Sequence, residues 1–165
     1  MASHNEKITV IEMRPPSLEI RVIDKSLERP LKDFFRLIAT AEDLKYFHPH
    51  SFTKEEVRRR SQYVGRDLYY VVTEDNRILG YGILRGWDEG YEVPSLGIII
   101  HPSARGQGLA KMFMNFLHVT AFRKGAKQIR LKVYPENVTA VKLYKKLGYM
   151  FENGEEGQLV GLVDL

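Results

Sequence analysis

Ser95-Leu-Gly-Ile-Ile-Ile-His-Pro-Ser-Ala-Arg-Gly-Gln-Gly-Leu-Ala110 decides the reading of the whole chain. Its β-branched run Ile98–Ile100, bounded by Gly97 and Pro102, is too short for a buried helix and predicts a strand. Arg105-Gly-Gln-Gly108 then places two glycines in a turn. Beyond the turn, Leu109, Met112, Phe113, Phe116, Leu117 and Thr120 follow the spacing of an amphipathic helix. A strand end, a glycine turn and a helix N-terminus thus meet at one point. Glycines let a ligand approach the backbone, and the unpaired amides of the first helical turn point outward with the positive end of the helix dipole. Gly106, Gln107, Gly108, Leu109 and Ala110 therefore form a candidate phosphate cradle, to which Arg105 adds a full charge. Two familiar nucleotide fingerprints are absent: no Gly-Lys-Ser/Thr follows the turn, and the dinucleotide pattern lacks its first glycine.

Arg105, Gly108 and Ala110 do fit Arg-x-x-Gly-x-Ala, and with the apolar strand and His-Pro in front they resemble the acyl-CoA signature of the GNAT superfamily of N-acetyltransferases. A second stretch, Tyr134-Pro-Glu-Asn-Val-Thr-Ala-Val-Lys-Leu-Tyr-Lys-Lys-Leu-Gly-Tyr-Met-Phe151, is similar to that superfamily's Asn-x-x-Ala-x-x-Leu-Tyr-x-x-x-Gly-Phe element. It matches at Asn137, Ala140, Leu143, Tyr144 and Gly148, with Tyr149 replacing Phe. Two signatures in family order are far more specific than either alone.

Around these stretches the expected elements fall in sequence. Leu18, Ile20 and Val22 alternate with polar residues as a half-buried strand does. Pro30 suits the first turn of a helix burying Leu31, Phe34, Phe35 and Ile38, and Thr53 with Glu56 forms a capping-box pattern for a second helix. Leu68–Val72 and Ile78–Leu84 read as strands joined by a Glu74–Arg77 hairpin turn. Gln128–Val133 reads as a strand parallel to Ile98–Ile100, because the intervening helix supplies a crossover. Asn137 caps the next helix, Gly148 ends it, and Tyr149–Phe151 with Leu159–Val163 form a closing antiparallel hairpin. Before Leu18, the segment Ile8–Met13 reads either as a short edge strand or as part of a disordered arm spanning residues 1–17.

The expected fold class is therefore an α/β (α+β layered) domain, GNAT-like, with a mixed, mainly antiparallel sheet and helices on both faces. At 165 residues, without repeats or linkers, the chain reads as one domain. Hydrophobic content of 44% and charged content of 28% are globular values, which excludes a disordered chain. The net charge of +4 suits an anionic ligand, but the charges are scattered, so no nucleic-acid partner is expected. Arg58-Arg59-Arg60, the one dense basic run, reads as a solvated helix face. The chain has no cysteine, which rules out disulfides, thiolate metal sites and a cysteine acyl-enzyme. With no long apolar stretch and a polar N-terminus, a soluble cytoplasmic protein without membrane attachment is the expectation. A homodimer is the ordinary expectation for oligomeric state.

Further implications come from the resemblance. It implies an acetyl-CoA-dependent N-acetyltransferase acting by direct transfer, with acetyl-CoA as co-substrate and no metal. Amides of Ile98, Ile99 and Ile100 would pair with the pantetheine arm, amides of Gly106 to Ala110 would hold the pyrophosphate, and Asn137 and Ala140 would adjoin them. Tyr144 would be the general acid for the departing sulfur, and an amide at Ile99 or Ile100 would stabilise the developing oxyanion. The first two helices border the acceptor pocket in such proteins, which makes His48 and His50 of the Tyr46–Phe52 loop candidate substrate contacts. The loop Gly86–Pro94 leads directly into the central strand, so its carboxylates Asp88, Glu89 and Glu92 are candidate bases, and Glu92 is the nearest. Trp87 and Tyr91 of that loop read as substrate contacts or as lids on the core. The acceptor is left open among an amino-sugar, a protein N-terminus and a small polyamine. The competing reading is a non-catalytic acyl-CoA-binding or regulatory module of the same fold.

Overall fold

The computed structural model describes residues 16–47 and 49–165; the segment Ile8–Met13 and His48 lie outside them. The chain forms β1 (Leu18–Val22), α1 (Glu28–Ile38), a short α2 (Ala41–Leu44), α3 (Lys54–Ser61), β2 (Leu68–Glu74), β3 (Arg77–Arg85) and β4 (Ser95–Ile100). There follow α4 (Leu109–Arg123), β5 (Gln128–Val133), α5 (Val138–Lys146), β6 (Met150–Asn153) and β7 (Leu159–Asp164). Two single-turn 3₁₀ segments, Lys25–Leu27 and Pro102–Ala104, precede α1 and the glycine turn. The strands make one sheet in the order β1-β2-β3-β4-β5-β7-β6, antiparallel at every pair except β4 with β5. None of the described helices is long and apolar enough to cross a membrane.

Local chemistry accounts for the joints. Asp75 and Asn76 both take positive φ, 48° and 65°, between the paired residues Glu74 and Arg77. Asp and Asn tolerate that region, and a two-residue turn of this hand matches the twist of the strands. Asn137 caps α5 by accepting from the Ala140 N–H at 3.3 Å, and Thr53 caps α3 by accepting from the Glu56 N–H at 3.3 Å. The Glu56 carboxylate spends itself elsewhere, on Arg59 and Arg60.

Alternation along the strands divides the interior into two cores. On one face α4 and α5 pack Phe113, Met114, Leu117 and Tyr144 against Leu84, Leu96, Ile100, Ile129 and Leu131. On the other, α1 and α3 pack Leu31, Phe34, Phe35, Ile38 and Val57 against Val71, Tyr81, Ile83 and Ile99. The stripe expected on α4 is shifted: Met112 is exposed and Met114 is fully buried, because the helix seats Phe113 and Leu117 directly over β3. That close seating requires glycine on the strand. A Cβ at Gly82 would sit 2.7 Å from Phe113 Cζ and 3.0 Å from Leu117 Cδ1.

The α1 and α3 core contains a polar cluster. Arg60, expected to be solvated, is buried; its Nε and Nη2 donate to Glu56 Oε2 at 3.1 and 2.8 Å, and its guanidinium lies 4.4 Å from the Tyr69 ring centre. Arg58 and Arg59 do face solvent. Next to this pair His50 is enclosed by Phe35, Phe47, Phe52 and Tyr81, with ring centres 5.5 to 5.8 Å away. Its Nδ1 faces the Ser51 carbonyl at 2.7 Å, so Nδ1 carries the proton and Nε2 accepts from the Tyr81 hydroxyl at 2.8 Å. Burial holds the His50 pKa below 6.5, and the same cause acts on His118, whose Nε2 is hydrogen-bonded with the Tyr149 hydroxyl at 2.8 Å.

Two outcomes follow from this packing. Gly82→Val overpacks the α4 contact and should destabilise the fold by about 1–3 kcal/mol, read as a lowered Tm with unchanged secondary structure; an unchanged Tm would refute the close seating. The two buried histidines resist protonation in the folded state, while the unfolded chain takes up protons near pH 6.5. Their contribution is full above that pH and is lost as pH falls below it. Tm should therefore drop as pH falls below about 6.5, and His50→Gln should make the drop shallower. An identical slope in the variant would contradict it.

Candidate active site

β4 and β5 touch at one residue pair only, Ser95 with Arg130, where Arg130 N–H donates to Pro94 O at 3.0 Å. Beyond it the strands diverge toward their C-terminal ends and open a groove of about 800 Å³. The phase of the β3–β4 ladder fixes what β4 presents there. His101 N–H donates to Leu79 O at 2.8 Å, and Ile99 lies opposite Tyr81. Antiparallel alternation then commits the amides of Gly97, Ile99 and His101 to β3 and turns those of Ile98 and Ile100 toward the groove. Ile99 thus reaches the groove through its side chain, not its amide.

At the open end the chain passes through the Pro102–Ala104 turn into the glycine turn. Arg105 Nε donates to Ile100 O at 3.0 Å, and Gln107 Nε2 donates to Ser103 O at 3.1 Å, which tie the turn back to the strand end. Gly106 and Gly108 have φ of 74° and 81°, a backbone that L side chains rarely adopt, although a Cβ at either would meet nothing within 4 Å. Their requirement is therefore conformational. Gly108 occupies the N-cap of α4, where no side chain caps the helix, so the amides of its first turn are left for another acceptor.

The opposite wall comes from α5. Asn137, Ala140, Leu143 and Tyr144 line the groove together with Ile98, Ile99, Ile100, Arg105 and Ala110. The Tyr144 ring packs in the core, and burial pushes its phenol up to about 12. Its hydroxyl makes no hydrogen bond with any described residue, yet no buried side-chain polar atom among them lacks a partner. The hydroxyl therefore opens onto the groove.

The remaining sequence candidates are dispersed. Gly106, Gln107 and Gly108 form the exposed turn beside the groove, and Leu109 is buried at the base of α4. Phe47 and Pro49 of the loop before α3 line the groove, whereas His50 is turned into the core beneath them. Trp87, Tyr91 and Glu92 do not line it. The cause is Asp67, a buried carboxylate whose Oδ1 accepts from the N–H groups of Gly86 and Trp87 at 2.9 Å and of Asp88 at 3.3 Å. Asp88 is in turn bound by the Arg66 N–H at 2.8 Å and by the Tyr63 hydroxyl. These bonds fasten the loop to the start of β2, seat Trp87 in the α4 core with Lys124 Nζ 4.9 Å from its ring centre, and leave Tyr91 and Glu92 exposed. The groove's own carboxylates, not singled out in the sequence, are Glu42 beside the Tyr46 loop and Glu156 before β7. No group of three or more potential metal ligands occurs among the described residues.

Known proteins resemble this chain in sequence or in fold. A mycothiol acetyltransferase from Jonesia denitrificans is 26% identical over 127 residues, which are 73% of this chain and 40% of that protein. The N-terminal acetyltransferase B complex catalytic subunit NAA20 of Arabidopsis thaliana is 33% identical over 103 residues, covering 55% of this chain and 59% of that protein. The chain thus spans less than two thirds of either relative's length. Among solved structures, RimL, a ribosomal L7/L12 α-N-protein acetyltransferase in complex with coenzyme A, superposes with a TM-score of 0.75 at 15% identity, covering 90% of this chain and 94% of the other. The sequence model of the Acetyltransferase (GNAT) family matches residues 34–149, from α1 through α5, and the chain belongs to that family.

Proposed function

We propose that the chain transfers the acetyl group of acetyl-CoA directly to a primary amine, with both substrates held in the β4–β5 groove. The observation that carries this reading is the convergence of two unpaired strand amides and one unpartnered tyrosine hydroxyl on a single groove. The donor set fits the co-substrate: the glycine turn and helix start suit its phosphates, and the amides of Ile98 and Ile100 suit its amide-bearing arm. Acetyl-CoA supplies an activated thioester carbonyl. Everything else falls to the protein.

An N–H at Ile98 or Ile100, fixed by the β3 ladder, is a ready donor to the carbonyl oxygen as it gains negative charge, and needs no reorganisation to act. Tyr144 donates its phenolic hydrogen toward the sulfur. With its pKa near 12 it stays protonated at neutral pH. A thiol ionises at about 8.5, so complete proton transfer from Tyr144 would run uphill by roughly three to four units. Its contribution is therefore a strong hydrogen bond to the departing thiolate, with solvent completing protonation. Glu92 stands outside the groove, so the amine enters already neutral or releases its proton to Glu42, Glu156 or water. A lysine-like amine of pKa about 10.4 is neutral in roughly one molecule in 2,500 at pH 7, an α-amino group of pKa about 8 in roughly one in ten, so the weaker base depends less on a protein base for deprotonation.

Tyr144→Phe keeps the ring and its packing and removes only the hydroxyl. With a panel of amines and acetyl-CoA, followed by release of free thiol, kcat should fall roughly ten- to a hundredfold while affinity for acetyl-CoA is kept. Wild-type turnover in the variant, with the chemical step rate-limiting, would leave Tyr144 as packing. No thiol release with any amine, despite acetyl-CoA binding, would favour a non-catalytic module instead.

A further inference from the structure

We infer that the acceptor carries an anionic group beside its amine, held by Arg85 and Arg130 at the closed end of the groove and by the more exposed Lys132 beyond them on β5. The inference rests on the transferase reading above and names the substrate class of that site.

Arg85 pairs across the sheet with Ser95, and Ser95 with Arg130, so the three stand in one row over β3, β4 and β5. Strand alternation puts Arg85 on the face of Tyr81 and Ile83, and puts Arg130 and Lys132 opposite the core residues Ile129, Leu131 and Val133. All three cations therefore project from the same face, that of α1 and α3, and all three line the groove. Arg85 and Arg130 are half-buried. Arg85 Nη1 donates to the Pro49 carbonyl at 2.8 Å, which anchors the guanidinium without neutralising it. Among the described residues no carboxylate lies within 4.0 Å of any of the three; Glu42 and Glu156 share the groove but do not reach them.

Half-buried cations of one sign in a recess concentrate anions, and a guanidinium fork matches a carboxylate or a phosphate. The phosphates of acetyl-CoA do not account for these charges. The glycine turn follows Ile100, at the other end of β4, five residues from Ser95 and roughly 17 Å away at strand rise. The turn also leads into α4, on the opposite face of the sheet. The same row repels a polycationic acceptor, which argues against a polyamine.

The test uses matched pairs that share an amine: β-alanine with β-alaninamide, and phosphoethanolamine with ethanolamine. Binding is read by an amide NMR titration of the protein alone, and turnover by thiol release from acetyl-CoA. The anionic members should shift the amides of Ser95, Gly97 and Arg130, and should exceed their neutral partners at least tenfold in kcat/KM. Whether the carboxylate or the phosphate pair shows the larger ratio identifies the anion. Arg130→Gln, and Lys132→Gln beyond it on β5, should erase the preference mainly through KM, while Arg123→Gln at the exposed C-terminal end of α4, outside the groove, leaves it intact. Equal use of neutral and anionic amines, a preference that survives both substitutions, or no shift at those amides with any probe overturns the inference. Shifts at those amides without turnover of any amine would keep the anion site and refute the transferase reading; turnover confined to neutral amines would do the reverse.

Discussion

Ser95 and Arg130 are the one point at which β4 and β5 meet, and the pairing acts as a hinge pin for the sheet. Each strand is secured on its outer edge, β4 by six paired residues with β3 and β5 by six with β7. The two halves of the sheet can therefore part without losing their own ladders. The opening leaves backbone amides unpaired in the middle of a sheet, where such groups ordinarily find a strand partner. A groove that admits water and ligand is what makes this tolerable, and the regular register of the β3–β4 ladder aims Ile98 and Ile100 into it before any ligand arrives.

The sheet then separates two tasks by face. On the α4 and α5 side lie the glycine turn and Tyr144, set by backbone conformation and by the Asn137 cap. On the α1 and α3 side lie the Tyr46–Phe52 loop and the row of cations. That loop is held by burial of polar groups: His50 bridges Ser51 and Tyr81, and Arg85 clasps Pro49. The Glu56–Arg60 pair beneath them is bonded through two N–H groups and stacked on Tyr69, so removing Glu56 would strand the buried charge of Arg60. Its contribution is to fix α3 against the α1 core.

What the sequence reveals here is what neighbouring residues decide among themselves. The glycine turn at Gly106 and Gly108, the turn at Asp75 and Asn76, and the caps at Thr53 and Asn137 are each set within a few residues, and each was readable. What long-range contacts decide was not. Nothing near Trp87 announces that Asp67, some twenty residues earlier, gathers three N–H groups of its loop and carries Trp87, Tyr91 and Glu92 away from the groove. Arg60 looked solvated because its shelter, Tyr69, lies on another element. The face of α4 was misjudged at Met112 because Gly82, on β3, determines how the helix sits. Arg85, Ser95 and Arg130 become a row only through the registers of three strands.

In the proposed function β4 is an open strand edge that acetyl-CoA completes. Residue-resolved amide hydrogen exchange, with and without acetyl-CoA, tests it most directly. In the free protein the amides of Ile98 and Ile100 should exchange far faster than that of Ile99, which is bonded within the β3 ladder, and acetyl-CoA should slow both. Equal protection of Ile98, Ile99 and Ile100 in the free protein, or no change at Ile98 and Ile100 on adding acetyl-CoA, would contradict it.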